Sequence, residues 1–234
     1  MPGQVVTRDE WLAARKDLLA KEKALTQAAD ALNAERRSLP MVEITKPYTF
    51  TGPGNTKHTL SDLFADKDQL IVYHFMYGPD SNKVCNGCTH VGESIPNVAH
   101  LRSKNVNMVS VSRAPMEKLQ EYKEKQGWDW DWYSADGDFN FDFNATLDED
   151  VKPVELNFRN QDELDKAGKK AWKGDVPGYS VFLKQDGAIY HTYSTWERGL
   201  ERTLPTLMLL DMTPMGRGVM PNGPGDFKPG GIYE

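Results

Sequence analysis

The stretch 69–77, Gln-Leu-Ile-Val-Tyr-His-Phe-Met-Tyr, is a nearly continuous apolar run of strand length. Such a run fits a strand covered on both faces, the situation of strands in a sheet with helices packed on each side. Gly78-Pro79-Asp80-Ser81-Asn82 breaks the run, and Cys85-Asn86-Gly87-Cys88 follows, leading into a helical stretch to about residue 103. A second apolar run at 106–111 predicts another buried strand. Ala114-Pro115-Met116 opens a helix that Gly127 stops, because Pro suits an early helical position and Gly a C-terminal end.

The tract 128–143 is rich in aromatic residues, Asp and Gly and reads as strand and ordered loop, whereas the polar stretch 144–174 reads as a surface insertion. Residues 178–183 and 188–194 flank Lys184-Gln185-Asp186-Gly187, whose Asp-Gly pair signals a hairpin. A last helix is expected over 197–210. Strand, cysteine pair, helix, strand, helix, insertion, hairpin and helix follow one another in the order of a thioredoxin-like α/β fold, a central mixed sheet flanked by helices.

Two segments lie outside this core. Over 7–38 the spacing predicts a long helix opened by a Thr7–Glu10 capping box and ended by Pro40. Its thin apolar stripe, including Trp11, Leu12, Leu18 and Leu25, suits an arm packed on its own domain or on a second subunit. From Pro214 the chain is rich in Gly and Pro without periodicity, an extended wrap or a disordered tail. The expected organisation is a helical arm (1–41), a thioredoxin-like domain (42–213) with an insertion at about 144–175, and a tail (214–234). The arm and tail suggest a homodimer.

At 234 residues and 39% hydrophobic, the chain suffices for one well-buried core. A formal charge of −6, with bases interleaved among acids as in Lys123-Glu124-Lys125, argues against a nucleic-acid partner. No stretch approaches the roughly 20 apolar residues of a membrane span, and the N-terminus lacks the features of a secretory signal. A cytoplasmic location is therefore expected. The only two cysteines lie three positions apart, and a disulfide closing so short a loop constrains little chain, so redox or metal chemistry explains the pair better than stapling.

A thiol at a helix N-terminus faces unpaired amides and the positive end of the helix dipole, both of which favour the thiolate. Cys85 would then attack a substrate disulfide or peroxide, and Cys88 would resolve the product. Pro177, just before the first hairpin strand, occupies the place where this topology sets a proline facing the cysteines, and a cis Val176–Pro177 bond is expected there. Arg113, at the end of the second strand, could direct its guanidinium to an anionic substrate or thiolate, or pair with a carboxylate. The rival reading is a zinc or copper site made by Cys85, Cys88 and His90, with His74 on the strand feeding the loop. For His90 alone a polar surface role is the simpler expectation. Trp128, Trp130 and Trp132 alternate as on one strand face, walling a cleft or packing under the N-terminal helix. No Ser-His-Asp order, phosphate loop or dinucleotide fingerprint occurs, which removes support for hydrolase, kinase and nicotinamide chemistry.

Several runs are distinctive: Tyr73-His74-Phe75-Met76-Tyr77-Gly78-Pro79-Asp80, Val111-Ser112-Arg113-Ala114-Pro115, Phe139-Asn140-Phe141-Asp142-Phe143 and Leu210-Asp211-Met212-Thr213-Pro214-Met215-Gly216-Arg217. Together they resemble the thioredoxin-like family catalogued as domain of unknown function 899, often labelled predicted dithiol–disulfide oxidoreductases. The resemblance implies the thioredoxin-like fold and a redox-competent pair carried by Cys85 and Cys88. It departs in the cysteine loop, which lacks the family's usual proline and carries His90 two positions after the second cysteine. The activity expected is thiol–disulfide exchange or thiol-dependent peroxide reduction, with a small thiol or a thioredoxin-type protein as electron donor. No cofactor is required for that chemistry.

Overall fold

Thr7 opens α1 (Arg8–Arg37) as expected: its hydroxyl accepts from the Glu10 amide at 3.3 Å, and the Glu10 carboxylate accepts from the Thr7 amide at 2.9 Å. The structure is a computed structural model that describes residues 3–170 and 173–233. No residue of α1 is buried, and Trp11, Leu12, Leu18 and Leu25 are exposed. The arm is therefore not packed on its own domain. Its last turn is tied down by Arg36, whose guanidinium lies 4.9 Å from the Tyr193 ring centre.

Three short strands follow, β1 (Val42–Glu43), β2 (Thr49–Thr51) and β3 (Lys57–Thr59), and then β4 (Gln69–His74) forms from the apolar run. The helical stretch after the cysteines is two helices, α2 (Asn86–Glu93) and α3 (Val98–Arg102), separated around Pro96. Next come β5 (Val106–Ser112), α4 (Met116–Gln126), β6 (Asp131–Asp136) and α5 (Phe139–Asp142). Gly127 closes α4 at φ 67°, the left-handed cap its sequence predicts.

The insertion holds β7 (Thr146–Leu147), β8 (Glu155–Leu156), β9 (Arg159–Asn160), α6 (Gln161–Lys166) and β10 (Gly174–Asp175). It is more than surface, because Leu147, Leu156, Leu164 and Val176 bury one another in a small core of their own. The hairpin is β11 (Gly178–Gln185) and β12 (Ala188–Trp196), and its two-residue loop has positive φ at both Asp186 (53°) and Gly187 (83°), as a type I′ turn requires. The expected last helix is a 3-10 segment over Glu197–Thr203 followed by α7 (Pro205–Leu210), because Pro205 cannot continue a helix begun before it.

One eight-stranded sheet runs β1-β12-β11-β4-β5-β6-β2-β3. Its centre, β12-β11-β4-β5, has β4 and β5 parallel and β11 antiparallel to both neighbours, with α2 leading from β4 to β5. This is the thioredoxin-like arrangement. Side chains of β4 alternate between two cores. Leu70 and Val72 join Phe50, Val109 and Phe139 on one face, while Tyr73 and Phe75 join Cys88, Met108 and Trp132 on the other. Trp130 and Trp132 are thus core residues beneath α2 and α4, not beneath α1, and their indole N–H groups donate to Ser110 and Ser112. Among the described residues no helix is long and apolar enough to cross a membrane.

Candidate active site

The loop after β4 is fixed at its edges before the cysteines arrive. The Phe75 amide donates to Val111 and the Ala114 amide to Tyr77, extending the register past the strand ends. Lys118 of α4 reaches across to donate to the carbonyls of Pro79 and Ser81 at 3.0 and 3.2 Å. The chain then enters α2 with Cys85 as its N-cap, in an extended conformation at φ −69° and ψ 118°. Cap residues ordinarily present a side-chain oxygen to the free amides. Here the sulfur does so, and Cys85 Sγ accepts from the Cys88 amide at 3.3 Å.

The two thiols differ sharply. Cys85 is half-buried, and hydrogen bonds lower its pKa to about 6: foremost from the Cys88 thiol, then from the Cys88 and Gly87 amides, against a desolvation that acts upward. Cys88 is 1% exposed, and burial first, then its bond to Cys85, pushes its pKa well up. One sulfur is a thiolate near neutral pH and its neighbour a protonated thiol. Tyr73 donates its hydroxyl to the Cys88 carbonyl at 3.3 Å, and Thr89 Oγ1 donates to the Cys85 carbonyl at 3.0 Å. Tyr122 of α4 meets Thr89 Oγ1 at 2.8 Å, so the first turn of α2 is held from the sheet below and from α4 beside it.

The tail is neither disordered nor remote. Residues 223–231 form two 3-10 turns, Gly223–Asp226 and Pro229–Gly231, that cross α2 as a strap. A Cβ placed on Gly87, between the two cysteines, would lie 3.3 Å from the Gly225 backbone nitrogen, a contact tight enough that the strap would have to give by a few tenths of an ångström. Phe227 stacks on His90 with ring centres 4.2 Å apart, and the Gly230 amide donates to Glu93. Met220 and Phe227 pack against the same core as Val84 and Cys85. Between strap, cysteine loop and α4 lies a cleft of about 640 Å³, lined among others by Val84 and Asn86 on either side of Cys85, by Tyr122 and Lys125 of α4, and by Ile232.

The remaining sequence candidates fall elsewhere. His90 is 8% exposed rather than a surface residue, and burial lowers its pKa against a pull from Glu93, whose carboxylate is 3.6 Å away. His74 is fully buried on β4, bound to Ser180 Oγ at 2.8 Å and stacked on Trp196. Among the described residues no three His, Cys, Asp or Glu side chains gather closely enough to hold a metal ion. The zinc or copper set of Cys85, Cys88, His90 and His74 is therefore not assembled, since the helix and the sheet turn the two imidazoles toward other partners.

Arg113 directs its Nε to Asp175 at 2.8 Å, and Thr146 donates to the same carboxylate oxygen at 2.7 Å. That is the ion pair which the sequence leaves as the alternative to a site role. Pro177 sits between β10 and β11, with the adjoining Gly178 paired to His74. No cis peptide bond occurs among the described residues, so the expected cis Val176–Pro177 bond is trans. Val176 instead turns into the insertion's small core and donates its amide to Ala145. Thr89, Tyr122 and the strap carry no motif, and Tyr73, although it opens one of the distinctive runs, carries no sign of its contact with α2; in the Gly/Pro-rich tail the isolated Met220 and Phe227 are the one signal of an anchored segment.

Solved structures similar to this chain include a cysteine-to-serine variant of PrxQ from Xylella fastidiosa, at 14% identity over 73% of this chain and 94% of that one, with a TM-score of 0.42. Peroxiredoxin Q from Xanthomonas campestris is 19% identical over 74% of this chain and 95% of its own (TM-score 0.41). Peroxidoxin BcpB from Mycobacterium tuberculosis is 12% identical over 74% and 96% (TM-score 0.43). The thioredoxin-like fold is shown by the strand order β12-β11-β4-β5, with β4 and β5 parallel and β11 antiparallel to both neighbours. No curated protein matches the chain. Over residues 2–227 it matches the family described as Bacterial protein of unknown function (DUF899), and it belongs to that family.

Proposed function

We propose that this protein is a dithiol oxidoreductase that reduces peroxides or disulfides with Cys85 as nucleophile and Cys88 as resolving thiol. The observation that carries the reading is the inequality of two adjacent sulfurs, one held as thiolate at a helix N-cap and one kept protonated by burial. A thiolate is the attacking species in both reactions, and the optimum attacking thiol has a pKa near ambient pH.

With a peroxide, Cys85 sulfur attacks one oxygen, the O–O bond breaks, and the departing alkoxide takes a proton to leave as alcohol or water. Cys85 is then a sulfenic acid. Cys88 sulfur attacks it, the S–OH bond breaks, and water carries off the oxygen and the Cys88 proton. With a disulfide, Cys85 forms a mixed disulfide and releases one thiol, and Cys88 displaces the second. Either route ends in a Cys85–Cys88 disulfide, which two equivalents of a small thiol, or a thioredoxin-type dithiol, reduce again. The cleft lined by Val84 and Asn86, the chain neighbours of Cys85, is the approach this reading gives the substrate, and Pro229 and Gly230 of the strap form part of its wall.

A redox titration with alkylation and mass readout tests the reading. Both cysteines should lose their alkylation together in one reversible two-electron step. Cys85→Ser should abolish turnover, and Cys88→Ser should leave a trapped mixed disulfide. Full peroxide and disulfide reduction in both variants would overturn it.

A further inference from the structure

A second cavity, apart from the cysteine cleft, opens on the core face of the central sheet. Its floor is one cross-strand row: Met108 of β5 pairs with Ile71 of β4, Ile71 with Val181 of β11, and Val181 with Tyr193 of β12. Such a row at the centre of an α/β sheet is ordinarily sealed by helices. Here Ile71, Val181 and Tyr193 remain only partly buried, because Pro96 parts α2 from α3 and Pro205 parts the 3-10 segment from α7. The gap left between these elements is a cavity of about 490 Å³. That volume lies in the usual range of small-ligand sites, about 300–1,000 Å³.

Two guanidinium groups are the charged side chains lining it, Arg36 from the last turn of α1 and Arg202 from the 3-10 segment, and no carboxylate lines it. Neither arginine has a carboxylate partner among the described residues, although the chain as a whole carries six more acids than bases. Arg36 gives one N–H to Asn33 at 2.6 Å, while its Nε is screened from solvent and makes no hydrogen bond among the described residues. The same guanidinium stacks 4.9 Å from the centre of the Tyr193 ring, so a positive charge without a carboxylate partner is held at the edge of the apolar floor, where an anionic group can answer it.

We infer that the cavity binds an amphipathic organic anion, a monocarboxylate with an aliphatic tail, whose tail lies on the Met108–Ile71–Val181–Tyr193 row and whose carboxylate meets Arg36 and Arg202. Apolar contact supplies affinity and the two arginines supply the sign of charge. Neither requires the cysteines, so the inference stands independently of the redox reading.

Calorimetry and amide NMR with hexanoate, octanoate, octan-1-ol and octylammonium, on the full chain, test it. One saturable carboxylate site is expected, with affinity rising about fourfold per added methylene. Octan-1-ol should bind at least about tenfold more weakly, the effect of losing a charge-assisted contact. Octylammonium should not bind. The double variant Arg36→Gln/Arg202→Gln should erase the preference for octanoate over octan-1-ol, and Val181→Phe should block both by filling the floor. Wild-type shifts should centre on Ile71, Val181 and Tyr193, which tests the site even if Val181→Phe folds poorly. Absence of a saturable site, equal binding of acid and alcohol, or shifts scattered away from this row would each overturn the inference.

Discussion

The imidazole of His90 stacks on the Phe227 ring at 4.2 Å between centres and 27° between planes, joining the helix that bears both cysteines to a tail more than a hundred residues later. Removing that ring should loosen the strap. Phe227→Ala is expected to raise the rate of Cys85 alkylation several-fold, since an aromatic contact of about 1 kcal/mol corresponds to roughly fivefold in an opening equilibrium. It should also let the His90 pKa rise toward its ordinary value, because burial is what lowers it. Alkylation kinetics and histidine NMR titration check both; an unchanged rate with an unchanged His90 would mean that the strap does not depend on this contact.

The thiolate at the N-cap has a distinct pH signature. Alkylation of Cys85 should be slow in acid, rise through a midpoint of about pH 6, and level off above it. The largest cause of the low pKa is the Cys88 thiol, so Cys88→Ala should move the midpoint upward, while Cys88→Ser, which keeps a donor, should move it less. A midpoint that stays put in both variants would assign the effect to the backbone amides alone.

Tyr73 is a buried anchor for α2 from the sheet. Tyr73→Phe removes the hydroxyl that meets the Cys88 carbonyl and should destabilise the fold by about 1 kcal/mol, read by urea unfolding with an unchanged slope. Its ring stays in the core, so a much larger loss would point to rearranged packing.

His74 sets an acid limit on stability. Burial is the main cause that depresses its pKa from 6.5 to about 3, with the neighbouring His191 acting the same way. A depressed folded-state pKa contributes stability that is fully present above pH 6.5 and lost as pH falls toward 3. The loss is about 1.4 kcal/mol per pH unit, or roughly 2 kcal/mol between pH 6.5 and 5. His191 and His90, both lowered chiefly by burial, add in the same direction. Unfolding free energies measured across this range should show the slope, and His74→Gln should flatten it; an equal slope in the variant would place the acid sensitivity elsewhere.

Much of the fold was legible because it depends on short-range chemistry. The apolar run of β4, the capping box of α1, the Gly127 stop and the Asp186-Gly187 turn each express a local preference that the tertiary structure leaves intact. The cysteine pair was legible for the same reason, since an N-cap position needs only the strand before it and the helix after it. Proline punctuation is less legible: Pro96 and Pro205 each divide a stretch that periodicity alone presents as one helix.

What only the tertiary structure decided are the contacts made across long separations. Sequence spacing placed His90 near the cysteines but not its burial under Phe227, and it put His74 on the feeding strand but not its turn toward Ser180. Arg113 had two equally plausible partners until the insertion brought Asp175 to it, and the Val176–Pro177 bond followed the insertion's packing instead of the expected cis geometry. A Gly/Pro-rich tail has no periodicity, so its place over Gly87 is written only in the close approach of two backbones. Local sequence fixes which backbone states are favourable; which side chains then meet depends on the sheet order that brings distant segments together.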